Sequence, residues 1–496
     1  MNATMSASRE KKKRQELYES GEIIRDTGKK ANGGLSKLTN TLIAAAAIVI
    51  LVAFVWLMIT NSGTFLNNVT AVTVGDTKIS AGEAGYYYWD AVSAVSNQYG
   101  DYFQYFVDTS KSYKSQQFSE DQTWADYFMS YAENGMQQIK ILNDQANANG
   151  FTLTEDQKAE IDSTMAALES SAKSSGFRNG EAYLKTVYGK AASVKSFREY
   201  LTRQTLSNAY YAEVYNAPTF DKAERDSYYA EHKSDFDTVD YRMISLTDGA
   251  EAERIAADTA NHEAMYLEEA AKLAEANDPE TEYDADGATL IEDASYSNVL
   301  TGAAEWLFDE MRGRGETYVV EPTEDGGTYY VLYFLGRNQL DEKLVNVRHI
   351  LISVDDTSDV DAMQRAKEEA DAILEEWESG DATEDSFAEL ANDRSTDGGS
   401  NTNGGLYENV YPGQMVTEFN DWCFDKSRKA GDTAVVGTDY GYHVMYFSGY
   451  SDEYDSYQDL LVEATLRSQK YSDWYTALTE QYPIKEKGFG LHYVHQ

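Results

Sequence analysis

An uninterrupted apolar stretch from Leu42 to Ile59 dominates the hydropathy pattern of the chain, and it contains no charged residue. A helix of this length, at about 1.5 Å per residue, crosses most of a bilayer core of about 30 Å. Nine Lys or Arg residues precede the stretch, and none follows it before Lys78. The positive-inside rule therefore predicts a cytoplasmic tail over 1–41, a single membrane helix over 42–60 and the remainder of the chain outside the cell.

A cleaved signal peptide is the alternative interpretation of this stretch. Its basic region would be unusually long, and residues 60–64 (Thr-Asn-Ser-Gly-Thr) lack an Ala-x-Ala cleavage site. We therefore expect an uncleaved anchor in the cell membrane. No cysteine lies near the apolar stretch, so a lipid anchor attached to cysteine is excluded.

Residues 61–237 carry mainly helical periodicity. The segment opens with two short strand patterns around a Gly75-Asp76 turn, and Ser80 with Glu83 has the spacing of a capping box at the start of a helix. Aromatic residues repeat at helical spacing further on, at Tyr102, Phe103, Tyr105 and Phe106. Such stripes are more often part of a core than of a binding surface, and both interpretations stay open.

Two predicted strands near opposite ends of the segment 345–450 each carry a histidine. The first reads Val-Asn-Val-Arg-His-Ile-Leu-Ile around His349, and the second reads Tyr-Gly-Tyr-His-Val-Met-Tyr-Phe around His443. A single histidine in an apolar strand is usually a packed core residue. The sequence between the two therefore decides how they are interpreted.

The sequence between the histidines combines two helical patterns with glycine-rich loops. The first helical stripe consists of Ala366, Ala370, Ile373, Leu374 and Trp377. After a second helical pattern come the loop Ser395-Thr396-Asp397-Gly398-Gly399-Ser400, the segments Gly404-Gly405-Leu406 and Gly413-Gln414-Met415, and Phe419. This order resembles the parvulin family of peptidyl-prolyl cis/trans isomerases, and the resemblance covers residues 343–450.

The resemblance implies two groups of site residues. These are the catalytic residues His349, Asp397, Thr438 and His443 and the proline-pocket residues Leu406, Met415 and Phe419. Asp397 stands where the family has Cys or Asp, and Thr438 matches the hydroxyl residue that orients the second histidine. One position departs from the family, because Tyr407 stands at the rim of the pocket where glycine is commoner.

The implied reaction needs only relief of amide resonance, whose rotation barrier is roughly 18–20 kcal/mol. An apolar slot that desolvates the imide favours the less polar, twisted state, so we expect no metal and no cofactor. A carboxylate at Asp397 argues against covalent catalysis. Cys423, the single cysteine, lies in a helical pattern, is expected in the core and excludes an intrachain disulfide.

Residues 238–338 repeat parts of the same pattern. The parallel segments are 239–244 with 345–350, 306–317 with 422–433, and 327–334 with the strand that begins at Gly441. Met243 and Tyr330 replace the two histidines. We interpret 238–338 as a degenerate, catalytically silent parvulin-like domain, with chance similarity between two α+β segments as the alternative.

The helical domain is similar to the N-terminal chaperone domain of the PrsA and SurA type, through the opening motif Val-x-Val-Gly-Asp-x-x-Ile-Ser at residues 72–80. Apolar residues at helical spacing in 451–496 predict a helix that ends near Gln481. The resemblance implies that this helix packs back on the chaperone domain. The expected fold is therefore α+β, with a membrane helix, a helical chaperone-like domain and two parvulin-like domains.

The formal charge of −42 is unevenly distributed, since the first 41 residues carry +4 and the remainder carries −46. Such an acidic surface repels nucleic acid, so no nucleic-acid partner is expected. Any electrostatic steering favours cationic clients, although a solvated acidic surface is the simpler interpretation. Five prolines and 42% hydrophobic residues indicate a globular chain.

These features together predict a membrane-anchored foldase that isomerises X-Pro bonds in unfolded or newly secreted polypeptides. Two alternatives belong to other functional classes: a holdase that grips peptides without turning them over, and a structural or interaction protein of the cell envelope. The complete set of predicted site residues favours the isomerase, because binding alone does not require it.

Overall fold

The computed structural model describes residues 12, 48–53, 55–56, 58–60, 62–279, 282–324 and 326–494. Within these ranges, no helix is both long enough and apolar enough to span a membrane. Residues 42–47, 54 and 57 of the predicted membrane helix over 42–60 lie outside the described residues, as does the basic tail over 1–41 except residue 12. The chain divides into two compact units, one that runs to Tyr211 and resumes at Ala477, and one that comprises Ala212–Thr476.

Helices and strands follow one another along the chain in mixed order. The helices are α1 (Gly63–Leu66), α2 (Ala81–Tyr99), α3 (Phe103–Phe106), α4 (Trp124–Ala148), α5 (Glu155–Ser174), α6 (Gly180–Val187), α7 (Val194–Asn216), α8 (Lys222–Glu231), α9 (Gly249–Thr259), α10 (Glu263–Asn277), α11 (Ala285–Thr289), α12 (Ala304–Leu307), α13 (Val360–Ser379), α14 (Glu384–Arg394), α15 (Thr417–Cys423), α16 (Tyr457–Thr479) and α17 (Gly488–Leu491). The strands are β1 (Thr70–Val74), β2 (Thr77–Ser80), β3 (Thr238–Leu246), β4 (Leu290–Ser295), β5 (Thr317–Val320), β6 (Tyr329–Asn338), β7 (Val345–Ser353), β8 (Leu406–Val410), β9 (Thr433–Thr438), β10 (Gly441–Tyr450) and β11 (Ile484–Glu486).

Polar side chains begin the helices of the first unit. Thr154 and Gln157 form a complete capping box at the start of α5. Ser80 caps α2 by accepting a hydrogen bond from the backbone N–H of Glu83 over 3.2 Å. The Glu83 carboxylate, however, pairs with Arg203 at 3.0 Å. The predicted capping box of α2 is therefore only half formed, because its acid ties α2 to α7 instead.

The core of the first unit lies between helices α2 and α4 and the three-stranded sheet β11-β1-β2. Tyr88, Phe128 and Met136 are fully buried in this core. Strand β11 comes from the C-terminal end of the chain and pairs antiparallel with β1, with Val74 opposite Ile484. The two ends of the described chain thus build one sheet.

The C-terminal segment is divided between the two units. The residues of α16 up to Thr476 belong to the second unit, together with α8, which the sequence assigns to the helical domain 61–237, so the packing of this helix on that domain stays a prediction. A buried ion pair of 2.9 Å between Glu463 and Arg225 fixes α16 to α8. The first unit is joined instead by β11 and by α17, where Gly490 lies so close to Thr70 that an added Cβ would meet the Thr70 carbonyl oxygen at 1.9 Å.

The second unit contains two four-stranded antiparallel sheets with the same connectivity. Their strand orders are β4-β3-β6-β5 and β8-β7-β10-β9. Helices α9 and α10 cover one face of the first sheet, and α13 and α14 cover the corresponding face of the second. The short helices α12 and α15 lie on the opposite faces. The unit begins before the predicted boundary at residue 237, because α8 and the end of α7 belong to it.

The register of the two sheets is equivalent around the positions of the histidines. The paired residues are Met243 with Leu332 and Tyr330 with Ser245 in the first sheet, and His349 with Met445 and His443 with Leu351 in the second. Met243 and Tyr330 therefore stand where the second sheet has its two histidines.

A repeated cation–π contact supports the same equivalence. The Arg312 guanidinium lies 4.1 Å from the ring centroid of Trp306, and the Arg428 guanidinium lies 4.2 Å from that of Trp422. In both pairs the arginine Nε donates a hydrogen bond to the carbonyl oxygen of the same tryptophan. Such a match in both topology and side-chain detail favours a repeated unit over chance similarity.

Candidate active site

The sheet β8-β7-β10-β9 separates two apolar layers, because alternate residues of a strand point to opposite faces. Ile350 and Ile352 of β7 pack against α13 and α14. Val345 and Val347 pack on the other side, with residues of α15. His349 continues the series of Val345 and Val347, so its side chain lies on the α15 face.

His349 and His443 meet across the neighbouring strands β7 and β10. Their ring centroids are 5.2 Å apart, with an interplanar angle of 22°. Nδ1 of one ring lies 3.0 Å from Nδ1 of the other. Both side chains are buried. The sheet thus brings together the two histidines on which the sequence interpretation depends.

Asp397 lies against the far nitrogen of His349. Its Oδ2 is 2.9 Å from Nε2 of His349 and accepts hydrogen bonds from the hydroxyls of Ser400, at 2.5 Å, and Tyr407, at 3.0 Å. The backbone N–H of Gly399 donates to Oδ1 over 3.1 Å. Burial acts to raise the pKa of Asp397, but these donors outweigh it and hold the pKa well below its ordinary value. The carboxyl group is therefore ionised.

Thr438 lies against the far nitrogen of His443. Its Oγ1 is 2.9 Å from Nε2 of His443 and accepts a hydrogen bond from the backbone N–H of Tyr440 over 3.1 Å. With Asp397 at the other end, this completes a continuous series of contacts. We call Thr438, His443, His349 and Asp397 the hydrogen-bonded row.

The ionised carboxylate sets the direction of every hydrogen bond in the row. Asp397 can only accept, so we assign the proton of His349 to Nε2 and leave its Nδ1 as an acceptor. His443 then donates from Nδ1, and its Nε2 accepts from the Thr438 hydroxyl. Both imidazoles are neutral in this arrangement, and all four ring nitrogens are engaged within the protein.

The electrostatics of the two histidines agree with this assignment. Burial lowers the pKa of His443 to about 4, and the neighbouring His349 adds to the effect. Burial also lowers the pKa of His349, although Asp397 opposes the shift. Protonating His349 at Nδ1 would set two N–H groups against each other across the 3.0 Å contact, and protonating His443 at Nε2 would force the Thr438 hydroxyl to reverse its hydrogen bond. Both imidazoles of the row are therefore stable in their neutral form near pH 7.

Phe419 and Met415 form the apolar side of the candidate site. The Phe419 ring meets both imidazoles edge to face, with centroids 5.5 Å from His349 and 5.4 Å from His443. Phe419 is buried, and Met415 packs against the same cluster while remaining partly exposed. The structure thus brings two of the three predicted proline-pocket residues to the α15 face.

Strand β8 places Tyr407 on the histidine face and leaves Leu406 on the other. Tyr407 is in register with Val347, and Leu406 is in register with Arg348. Residues directly opposite each other on paired strands share a face of the sheet. The Tyr407 ring lies 5.3 Å from His349. The position where the sequence predicts only a rim therefore contacts the histidine directly.

Ser400 is a site residue that the sequence interpretation missed, and Tyr407 is one that it placed only at the rim of the pocket. Ser400 is fully buried. Its Oγ lies 3.1 Å from Nε2 of His349 and also donates a hydrogen bond to Asp397. The available signal is weak, because both are simply polar residues in a glycine-rich segment. Their roles emerge only when the loop folds over the end of His349.

Gly405 explains why that loop is rich in glycine. It has a φ of 69°, and an added Cβ would lie 2.2 Å from the carbonyl oxygen of His349. The carbonyl oxygen of Gly405 accepts a hydrogen bond from the His349 N–H over 2.9 Å. This close approach of two backbones fixes the position of His349.

Cys423 is not part of the candidate site chemistry. It is the last residue of α15 and is buried in the apolar layer between α15 and the sheet, and burial raises the pKa of its thiol to about 12. A thiol of this kind is not a nucleophile at neutral pH. Within the described ranges of the chain, no cluster of three or more His, Cys, Asp or Glu side chains is arranged to hold a metal ion.

Comparison with known proteins places these residues in a recognised domain. Residues 329–448 match the family described as PPIC-type PPIASE domain. The chaperone SurA of Pseudomonas fluorescens is 30% identical over 161 residues, which is 31% of this chain and 36% of that protein. The foldase protein PrsA 1 of Listeria innocua is 33% identical over 104 residues, 21% of this chain and 30% of that protein. The chain therefore spans about a third of the length of the curated relatives it matches.

Solved structures of PrsA are more distant. The PrsA structure from Bacillus subtilis shares 14% identity and a TM-score of 0.27, over 75% of this chain and 87% of that one. PrsA from Bacillus anthracis shares 22% identity and a TM-score of 0.19, over 31% and 58%. The assignment thus depends on the sequence match of the isomerase region. Residues 329–448 belong to the PPIC-type peptidyl-prolyl isomerase domain family, and through this domain the chain is a relative of the SurA and PrsA chaperones and foldases.

Proposed function

We propose that this chain is an extracytoplasmic foldase that catalyses cis/trans isomerisation of X-Pro bonds in unfolded or newly secreted polypeptides. The observation that carries the proposal is the hydrogen-bonded row, which lies against the edge of the Phe419 ring. Met415 and Phe419 form an apolar wall beside this row. Buried neutral imidazoles next to such a wall are suited to a reaction in which no covalent bond changes.

The row is not arranged for proton transfer. Each ring nitrogen of His349 and His443 already has a protein partner, and the lowered pKa of both residues keeps them neutral. Rotation about an imide bond requires neither an acid nor a base. The row instead supplies a fixed set of dipoles anchored by the charge of Asp397.

The apolar wall accounts for the lowered barrier. Met415 and Phe419 provide a surface on which a proline ring can pack, and they exclude water from the adjoining imide. The planar imide is more polar than the twisted one. Loss of water therefore raises the free energy of the planar state more than that of the twisted state. This difference reduces a rotation barrier that is roughly 18–20 kcal/mol in solution.

Exchange NMR of a short Ala-Pro peptide, with the full chain in H₂O and in D₂O, tests this proposal. We expect the chain to accelerate isomerisation, with nearly equal rates in the two solvents because no proton moves. A rate that drops severalfold in D₂O would contradict the mechanism. Binding of the peptide without acceleration would contradict the isomerase and favour the holdase.

We also propose that the first α+β domain contributes no catalysis. Met243 and Tyr330 occupy the register positions of the two histidines, and neither can build a row of neutral imidazoles. In the full chain, His349→Ala/His443→Ala should therefore abolish acceleration of X-Pro isomerisation. Activity at the wild-type level in this folded variant would assign catalysis to the first domain.

Anchoring in the cell membrane through residues 42–60 is part of the same proposal. The apolar, uncharged stretch and the basic residues before it support this orientation. A reporter fused after residue 70 should be external and uncleaved. A mature product that begins near Asn61, measured by mass spectrometry, would refute the anchor.

A further inference from the structure

Three aromatic side chains protrude from a turn of the first unit. Tyr102, Tyr105 and Phe106 are 71%, 76% and 57% exposed, and we call them the aromatic platform. The Tyr102 and Tyr105 rings are 6.2 Å apart, and Phe106 lies 5.5 Å from the half-buried Tyr99. Scattered exposed rings are ordinary, but three exposed rings within one turn of five residues, two of them 6.2 Å apart, indicate an interaction surface.

The platform is held in place by buried neighbours. Phe103, the fourth aromatic residue of the predicted stripe, is buried and lies 6.2 Å from the ring of Trp124. Val107, at the end of α3, is also buried. Gly100, with a φ of 52°, ends α2 and turns the chain outward. The fold therefore directs the three rings of the platform into solvent while anchoring the turn that carries them.

The area of the platform suits an extended segment better than a folded partner. Aromatic side chains bury about 150–250 Å² each, so three partly exposed rings offer on the order of 400 Å². A stable dimer needs about 800 Å² from each partner. A second copy of this chain is therefore a poor candidate, whereas a short extended stretch of polypeptide can cover rings of this size.

The stretch of chain that carries the platform is acidic, and its charge indicates which polypeptide segments the platform can bind. Residues 99–126 carry the acidic side chains Asp101, Asp108, Glu120, Asp121 and Asp126 and the basic side chains Lys111 and Lys114. Lys111 is paired with Asp108 at 2.9 Å, which leaves an acidic excess. Lys and Arg are attracted to aromatic faces, and extended proline-rich segments dock on aromatic surfaces.

We propose that the aromatic platform binds extended, cationic segments of unfolded client chains, in which Lys or Arg lies beside proline or apolar residues. The identity of the occupant as a client depends on the proposed foldase function. The surface itself belongs to the first unit and shares no residue with the hydrogen-bonded row, so the two can be tested separately.

Fluorescence anisotropy of the full chain with a labelled short peptide of Lys, Pro and Leu tests the proposal. Tyr102→Ser/Tyr105→Ser/Phe106→Ser should weaken binding about tenfold, since each lost ring contributes a modest cation–π or packing term. A matching peptide with Glu in place of Lys should bind the wild type more weakly. Tyr283→Ser/Met311→Ser, which alters exposed residues of the second unit, is the control and should bind as the wild type does.

Several outcomes would overturn the proposal. These are no binding by the wild type, equal affinity in the platform variant, equal binding of the acidic peptide, or a dimer that the platform variant abolishes. Circular dichroism verifies that each variant is folded. Isomerisation of a short Ala-Pro peptide should be unchanged in the platform variant. Peptide binding by a wild type without isomerase activity would refute the foldase and leave the binding surface in place.

Discussion

Nδ1 of His443 donates a hydrogen bond to Nδ1 of His349 across 3.0 Å, between rings that lie 22° from parallel. The contact exists only while one of these two nitrogens is bare. Asp397 and Thr438 determine which one it is, because they hold the outer nitrogens. The geometry of the candidate site is thereby coupled to the protonation of its histidines.

This coupling predicts a pH dependence. Free histidine has a pKa near 6.5, whereas the folded pKa of His443 is about 4. Between these values the unfolded chain binds more protons than the folded one, so stability is complete above about pH 6.5 and declines as pH falls toward 4. Activity should decline as His443 is protonated. NMR titration of the six histidines measures the pKa of His443 directly.

The exposed His262 provides the control for that pH dependence. His262→Asn should leave the pH dependence of the thermal midpoint unchanged. His443→Asn should remove part of the loss of stability below pH 6.5. An NMR pKa at or above 6.5 for His443 would contradict the assignment of neutral imidazoles.

Thr438 should contribute to the rate of X-Pro isomerisation through its hydroxyl alone. Thr438→Val keeps the shape of the side chain but leaves Nε2 of His443 as a buried acceptor without a donor, at a cost of about 1–3 kcal/mol. We expect kcat/KM for X-Pro isomerisation to fall roughly tenfold. Thr438→Ser restores the hydroxyl and should recover most of the rate. Equal rates for the Val and Ser variants would show that the hydroxyl does not orient the ring.

Tyr407 should stabilise the ionised form of Asp397. Tyr407→Phe removes the hydroxyl that donates to Oδ2 but keeps the ring beside His349. The free energy of unfolding should decrease by about 1 kcal/mol, and the pKa of Asp397 should rise. Tyr440→Phe, at an exposed position, is the matched control. If Tyr440→Phe lowers the free energy of unfolding as much as Tyr407→Phe does, the Tyr407 hydroxyl has no specific role.

Much of this site is predictable from sequence because it consists of residue types at characteristic spacings. His349, Asp397, Thr438 and His443 are brought together, and the Phe419 ring lies against His349. Ser400 and Tyr407 are not predictable in the same way. Their hydroxyls reach Asp397 only through the folding of a loop and the register of β8 on β7, which no local periodicity encodes.

The organisation of the C-terminus shows a second limit of sequence patterns. Helix α16 is predictable from its apolar spacing, but its partner is not, because the contact that fixes it is a buried ion pair between Glu463 and Arg225. Strand β11 has the sequence Ile-Lys-Glu and joins β1 through backbone hydrogen bonds. Backbone pairing of so short a strand leaves little trace in the side chains.

The proposed isomerase activity should not require phosphorylated substrates. The loop after β7 carries four carboxylates and no basic residue over Ser353–Asp361. Two of the acids also serve the loop itself, since Asp359 caps α13 and Asp356 accepts a hydrogen bond from the Ser358 hydroxyl. A phosphate dianion would be repelled there. Rates on Ser-Pro, phospho-Ser-Pro and Lys-Pro peptides test this, and a clear preference for the phosphorylated peptide would refute it.

The proposed prolyl isomerase activity is tested most directly by kcat/KM for X-Pro isomerisation by the full chain, compared with His443→Ala and Met415→Ala. We expect clear acceleration by the wild type and a substantially lower rate for both variants, because one breaks the hydrogen-bonded row and the other opens the apolar wall. Circular dichroism must show that both variants are folded. Wild-type rates in both folded variants, or no acceleration by the wild type, would contradict the claim that this site is a prolyl isomerase.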